Sequence, residues 1–194
     1  MATLVVGSGS ICRPLFMAGG GRPKVKSFPE AASQTFKAGE LIILGTATDK
    51  GNEVKVASDN PTTAIVVGIA VHDATQTEGT HASGSGVQGQ MGNAGSLGLG
   101  VTGGLTKGIV QVWLAGRDNL FVAHTLDTQA IDNNDIGKQF GFEKDTTNKV
   151  WRVDNTDTSN KSVQIVDLFD NDADVNGRYV FKFLGAVNVL YGDR

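Results

Sequence analysis

The sequence predicts an all-β protein, built as one or two small antiparallel β-barrels or sandwiches with an extended N-terminal arm. Three observations carry this. From Ile136 to Leu184 the apolar residues recur at every second position: Phe140 with Phe142, Trp151 with Val153, and Tyr179 with Phe181 and Phe183. That is the period of a strand, whose alternate side chains share a face. Asp, Asn, Thr, Ser and Gly fill the gaps between these runs, as turns require, and no 3.6-residue pattern competes. The chain also carries 26 glycines and only 19% charged residues, a composition that favours turns and extended chain over long helices.

Residues 1–29 form the expected arm. They lack a sustained period, hold three of the four prolines and include the triplet Gly19, Gly20 and Gly21. A disordered terminus is the bland reading, but Leu4, Val5, Val6, Ile11, Leu15, Phe16 and Met17 are too apolar for a solvated tail, which slightly favours an arm docking on a partner. Arg13, Arg22, Lys24 and Lys26 give it a charge of +4, which leaves -7 on the rest of a chain whose total is -3.

A β-barrel-like region is expected over residues 30–115. Leu41–Leu44 and Ala64–Val71 are continuous apolar runs rich in β-branched residues, the signature of strands covered on both faces. Lys50-Gly51-Asn52 and Asn60-Pro61 mark turns. Residues 79–108 form a glycine-rich insertion with eleven glycines. Such a stretch inside a domain is more often functional or disordered than filler, and a loop or arm packed closely against another backbone is expected of it. Gly86, Gly89, Gly92, Gly95 and Gly98 match the collagen period, but the window has no proline and few repeats. After the strand-like run Ile109–Leu114, a division near Gly116 separates residues 116–194, a second β-rich domain or the second half of one body. Leu120–Ala123 and Ala186–Tyr191 read as further strands.

Cys12 is the single cysteine, so an intrachain disulfide and a cysteine zinc cluster are both excluded. The apolar runs are shorter than a membrane helix, and the N-terminus lacks a basic start, so synthesis in the cytosol is expected. The net charge offers no global field for nucleic acid, and the arm's four cations lack the density and aromatic interleaving of a nucleic-acid surface. An acidic protein surface suits them better, because such charges steer docking and set register.

Catalytic and cofactor signatures fail on context. Val5-Val6-Gly7-Ser8-Gly9-Ser10-Ile11-Cys12 starts like a dinucleotide fingerprint, but Cys12 stands at the third glycine position and Pro14 precludes the helix. Gly84-Ser85-Gly86-Val87-Gln88-Gly89 matches literally without a strand before it or a helix after it. Asp172, Asp174 and Asn176 give the first half of a calcium loop, but Phe183 stands where the closing glutamate belongs. Asn176-Gly177 is also a strong hairpin signal, so a plain turn is the first expectation. His72, His81 and His124 follow no metal spacing, and nothing in the spacing pairs His124 and Asp127 with a serine. Asp145, Asp154, Asp157, Asp170 and Asp172 sit in turn-like gaps, where carboxylates normally bond local backbone. No active site, metal or cofactor is expected.

The order Phe36-Lys37-Ala38-Gly39-Glu40-Leu41, Val67-Gly68-Ile69-Ala70, Ile136-Gly137-Lys138-Gln139-Phe140, Trp151-Arg152-Val153-Asp154 and Gly177-Arg178-Tyr179-Val180 resembles the small β-barrel decoration, or cement, proteins of tailed bacteriophage heads. The likeness spans Phe36 to Leu184. It implies a β-rich body without catalysis, a virion protein on the outer capsid surface, contact with the major capsid protein, and self-association, often as trimers. Membrane and specific nucleic acid are not among the implied partners. Leu4, Val5, Val6, Arg13, Phe16, Arg22, Lys24 and Lys26 are then the candidate capsid contacts. The alternative is a receptor- or glycan-binding module of a tail fibre or baseplate, using Trp113 or Trp151 and calcium at Asp172.

Overall fold

Period-two runs become strands wherever a turn releases them. The computed structural model describes residues 12–18, 20–31, 34–45, 53–58, 61, 66–74, 109–116, 118–145 and 150–184. The strands are β1 (Arg13–Met17), β2 (Val25–Pro29), β3 (Leu41–Leu44), β4 (Val54–Val56), β5 (Val66–Ala70), β6 (Ile109–Leu114), β7 (Asn119–His124), β8 (Gln139–Asp145), β9 (Val150–Asp154), β10 (Val163–Leu168) and β11 (Arg178–Phe183). They form a six-stranded antiparallel sheet, β1-β7-β11-β10-β8-β9, and a five-stranded one, β2-β6-β5-β3-β4. The chain changes sheet between Leu114 and Asn119. The fold is all-β.

The arm expected over residues 1–29 is corrected from residue 12 onward. Its apolar residues find their surface inside the chain: β1 pairs with β7, and β2 pairs with β6 and sends Phe28 into the core. Leu4, Val5, Val6, the insertion 79–108, His81, the turn at Lys50–Asn52 and the run Ala186–Tyr191 lie outside the described residues.

The two sheets repeat one topology. In β2–β6 the strand order is first, fifth, fourth, second, third, and β7–β11 follow the same order. The register repeats as well. Leu41 faces Ile69 and Ile42 faces Gly68; in the second unit Gln139 faces Gln164 and Phe140 faces Val163. Gly68, Ile69 and Ala70 face Leu114, Trp113 and Val112; Val163, Gln164 and Ile165 face Phe183, Lys182 and Phe181. In each unit the first strand returns to the third through one parallel bridge, Glu30 with Val54 and Thr125 with Val153. The next N–H then donates across the same seam, Ala31 to the Val54 carbonyl at 2.9 Å and Leu126 to the Val153 carbonyl at 3.2 Å. Each sheet is thus rolled and fastened edge to edge at one point, while β1 adds to β7 as an extra strand of the second unit.

The cores follow from side-chain alternation. Phe28, Ile42, Val54, Val67, Val110 and Val112 fill the first unit. Leu41, Ile43 and Ile69, on the opposite face of β3 and β5, join the larger cluster around Phe121, Phe142, Trp151, Phe181 and Phe183. Both faces of β3 and β5 are therefore covered, which explains their unbroken apolar runs. Ring centroids 5.2 Å apart link Phe121 to Phe183 and Phe142 to Phe181, so the expected inward aromatic face is present. Lys144 and Glu40, both largely buried, make an ion pair between the units.

Candidate interaction surface

The edges of the sheets, rather than a cleft, collect the exposed functional candidates. β1 ends the six-stranded sheet and β2 ends the five-stranded one, so residues 13–29 supply two edge strands in succession. Gly20 and Gly21, at φ 75° and 118°, turn the chain between them, a conformation that glycine adopts without a side-chain penalty. Arg13, Arg22, Lys24 and Lys26 are all exposed. Between them lie two large apolar side chains in solvent, Phe16 at 45% and Val25 at 47% exposure. The Lys26 ammonium lies 5.2 Å from the Phe28 ring centroid, a cation–π contact at the rim of the first core. Of the candidate contacts, then, Arg13, Phe16, Arg22, Lys24 and Lys26 share two consecutive edge strands and the turn between them.

The backbone of β2 is directional. The Lys24 carbonyl accepts from Leu114 N–H at 3.0 Å. Antiparallel alternation then turns Lys26 and Phe28 toward β6, and Val25 and Ser27 away from it. Ala31 N–H, of the same parity as Val25, donates to β4, which fixes the outward side.

The remaining candidates resolve into structural hydrogen bonds. Asp172 accepts from Asn133 N–H at 2.9 Å, Asp174 from Asn171 N–H at 3.1 Å, and the Asn176 side-chain oxygen from Arg152 at 2.7 Å. The segment is a hydrogen-bonded turn with Ala173 and Asn176 at φ 67° and 55°. His124 donates from Nδ1 to the Asn176 carbonyl at 2.6 Å, whereas Asp127 pairs with Arg152 at 2.7 Å, so these two form no relay. His72 accepts from Gln111 N–H at Nε2 and holds its proton on Nδ1 against the Asp73 carbonyl. No group of three or more His, Cys, Asp or Glu that could hold a metal occurs among the described residues.

The acids in the gaps are only partly local. Asp157 accepts from Ser159 and Asn160 N–H, as turn chemistry expects. Burial works against the charged form of Asp154. Hydrogen bonds from Thr156, Gln129 and the Thr156 and Asp157 N–H groups outweigh it and hold the carboxyl below its ordinary pKa. Asp145 pairs with Arg152 across its own hairpin, and Asp170 accepts from both the backbone and the guanidinium of Arg178 across the next; only Asp172 reaches a distant segment, at Asn133 N–H, which corrects its local assignment. Sequence reasoning also missed the buried Arg152, whose Nη1 donates to the Thr125 carbonyl at 3.1 Å beside the seam. Its one signal was a charge set between Trp151 and Val153 on a core strand.

Trp151 is 1% exposed and stacks on Phe142 inside the core, so it offers no face to a sugar ring. Trp113 is half-buried and packs against the same cluster. No protein-family model matches the chain, no curated protein matches it, and no solved structure matches its fold.

Proposed function

We propose that the chain is a structural virion protein that binds the outside of a tailed-phage capsid and bridges neighbouring copies of the major capsid protein. The observation that carries this is the pair of consecutive edge strands presenting Arg13, Phe16, Arg22, Lys24, Val25 and Lys26 to solvent. A rigid body with cations and apolar side chains on extended edges fits a partner's acidic surface, and the resemblance to decoration proteins names that partner. The protein acts as a cement. It binds the mature shell and not its dissociated subunits, and so stabilises the shell by linkage. Repetition over many equivalent sites, with self-association as trimers, adds avidity. It is made in the host cytoplasm and ends on the outer capsid surface.

Deleting residues 1–29 would remove β1 and β2 from the sheets, so charge reversal is the cleaner test. The full chain and the variant R13E/R22E/K24E/K26E are mixed with empty expanded shells and co-sedimented. The reading expects the variant to melt like the parent by itself, yet to lose occupancy and the rise in shell melting temperature. Unchanged occupancy and shell melting would overturn it.

A further inference from the structure

The repeat shows what one unit has and the other lacks. In the second unit, Leu120 and Val122 of β7 turn their backbone groups toward β1, and Ala18 N–H donates to the Asp118 carbonyl at 2.7 Å to open that ladder. The bridges at Thr125 and Glu30 bring Leu120 and Val122 into register with Val25 and Ser27. Those are the residues of β2 whose backbone groups face away from β6. Among the described residues no strand pairs with that side of Val25 and Ser27; β4 meets it only past Pro29, at Glu30 and Ala31. The consequence is visible in burial: Leu120 and Val122 are 5% and 2% exposed, whereas Val25 is 47% exposed and Ser27 is exposed.

From this comparison we infer that the outward edge of β2 is a strand-addition site, taking an extended acidic segment of another polypeptide antiparallel to Lys24–Ser27, where β1 lies in the second unit. The chemistry of the occupant follows from side-chain alternation. Lys24 and Lys26 share one face of β2, so carboxylates at alternate positions of the incoming strand sit across from them. Val25 and Ser27 share the other face and favour a small or β-branched residue there. Arg22 extends the positive charge past the end of the strand. A second β1 strand, Arg-Pro-Leu-Phe-Met, brings a cation and a missing N–H and is the wrong partner for this edge. Pro29 lacks an N–H at an outward position, which limits the ladder to Val25 and Ser27. Main-chain hydrogen bonds supply the affinity, and the charges supply direction and choice of partner. The inference adds a mode of contact to the capsid-binding reading. It is tested without shells, so that either can fail alone.

The test uses the full chain, labelled for amide detection by NMR, and two capped peptides, one alternating glutamate with valine and one alternating lysine with valine. The glutamate peptide is expected to shift the Val25 and Ser27 amides saturably, with roughly tenfold preference over the lysine peptide, as two exposed charge pairs allow. Ser27→Pro removes an outward N–H without touching the β6 ladder, and is expected to keep the fold and abolish the shifts. Should that variant fail to fold, K24E/K26E serves instead and is expected to reverse the preference toward the lysine peptide. The inference is overturned by no saturable shift at these amides, by equal response to both peptides, or by slow hydrogen exchange of Val25 and Ser27 in the free protein. The last result would mean that the edge is already occupied.

Discussion

Gly39 and Gly137 hold the same place in the two units. Their φ angles are 86° and 87°, and each donates its N–H at 2.9 Å to a carbonyl of the fourth strand, Ala70 and Ile165 respectively. The return bonds match as well: Ala70 N–H donates to Glu40 at 2.9 Å and Ile165 N–H to Lys138 at 3.0 Å. A residue with positive φ therefore stands two positions before the second strand of each unit and sets its register against the fourth.

This equivalence predicts a backbone cost at both positions. An alanine at exposed Gly137 meets nothing within 4 Å, so its cost is the left-handed backbone alone, roughly 1–2 kcal/mol. Gly39→Ala, at a buried glycine of the same φ, should lower the urea unfolding free energy by at least as much. A smaller loss for Gly39→Ala than for Gly137→Ala would show that the two turns do not do the same work.

Arg152 predicts a larger loss. Its guanidinium, 7% exposed, meets Asp145 at 3.3 Å, Asp127 at 2.7 Å and the Thr125 carbonyl at 3.1 Å, next to the bridge that fastens the second unit. Arg152→Met removes the guanidinium from the Asp145 carboxylate, itself 13% exposed, and from the buried Thr125 carbonyl, and should cost roughly 3 kcal/mol. Arg152→Lys keeps the charge but not the planar fork and should fall between. Denaturant midpoints of the three proteins read this order directly.

Asp170 sets part of the acid limb. Hydrogen bonds from the Arg178 side chain hold its carboxyl below the ordinary range, burial opposes this, and Arg178 N–H adds to the lowering. A depressed folded-state pKa contributes stability that is complete above the unfolded value of about 3.9 and is lost as pH falls through the folded one. Arg178→Met should therefore lose less stability than the parent between about pH 4 and pH 2, while being less stable at neutral pH. Unfolding free energies measured across that range should converge at the acid end.

Cys12 reports on β1. It is fully buried in the larger cluster immediately before Arg13, and burial pushes its thiol pKa up. Thiolate formation and access both then require opening of that edge. A thiol reagent should label the native chain roughly 100-fold or more slowly than the urea-unfolded one. Equal rates would mean that β1 is not lodged in the sheet.

The all-β class was legible because β8, β9 and β11 bury one face each and so alternate: Phe140 and Phe142, Trp151 and Val153, Tyr179 through Phe183. The double burial of β3 and β5 was legible too, as unbroken apolar runs. The repeat was not. Its equivalent positions hold Ile42 and Phe140, Gly68 and Val163, Val112 and Phe181, or Lys26 and Phe121, and of the equivalences named here only Gly39 with Gly137 and Val54 with Val153 keep the residue. Backbone hydrogen bonds and the choice of buried face specify register, and both tolerate a change of side chain. The strands β1 and β2 were hidden for another reason: five residues with a proline in each give too short a pattern to distinguish a strand from an arm. Of the candidate surface, the cations and Phe16 were legible by composition; that they lie on sheet edges was not.

The proposed cement role is tested most directly by imaging. The purified full chain is mixed with empty expanded tailed-phage shells, and the particles are reconstructed by electron cryomicroscopy. The account predicts added density at fixed symmetry positions on the outer surface, spanning neighbouring capsid subunits, with the β1 and β2 edges of the protein against the shell. Bare shells at saturating protein, or density attached through the opposite side of the body, would contradict it.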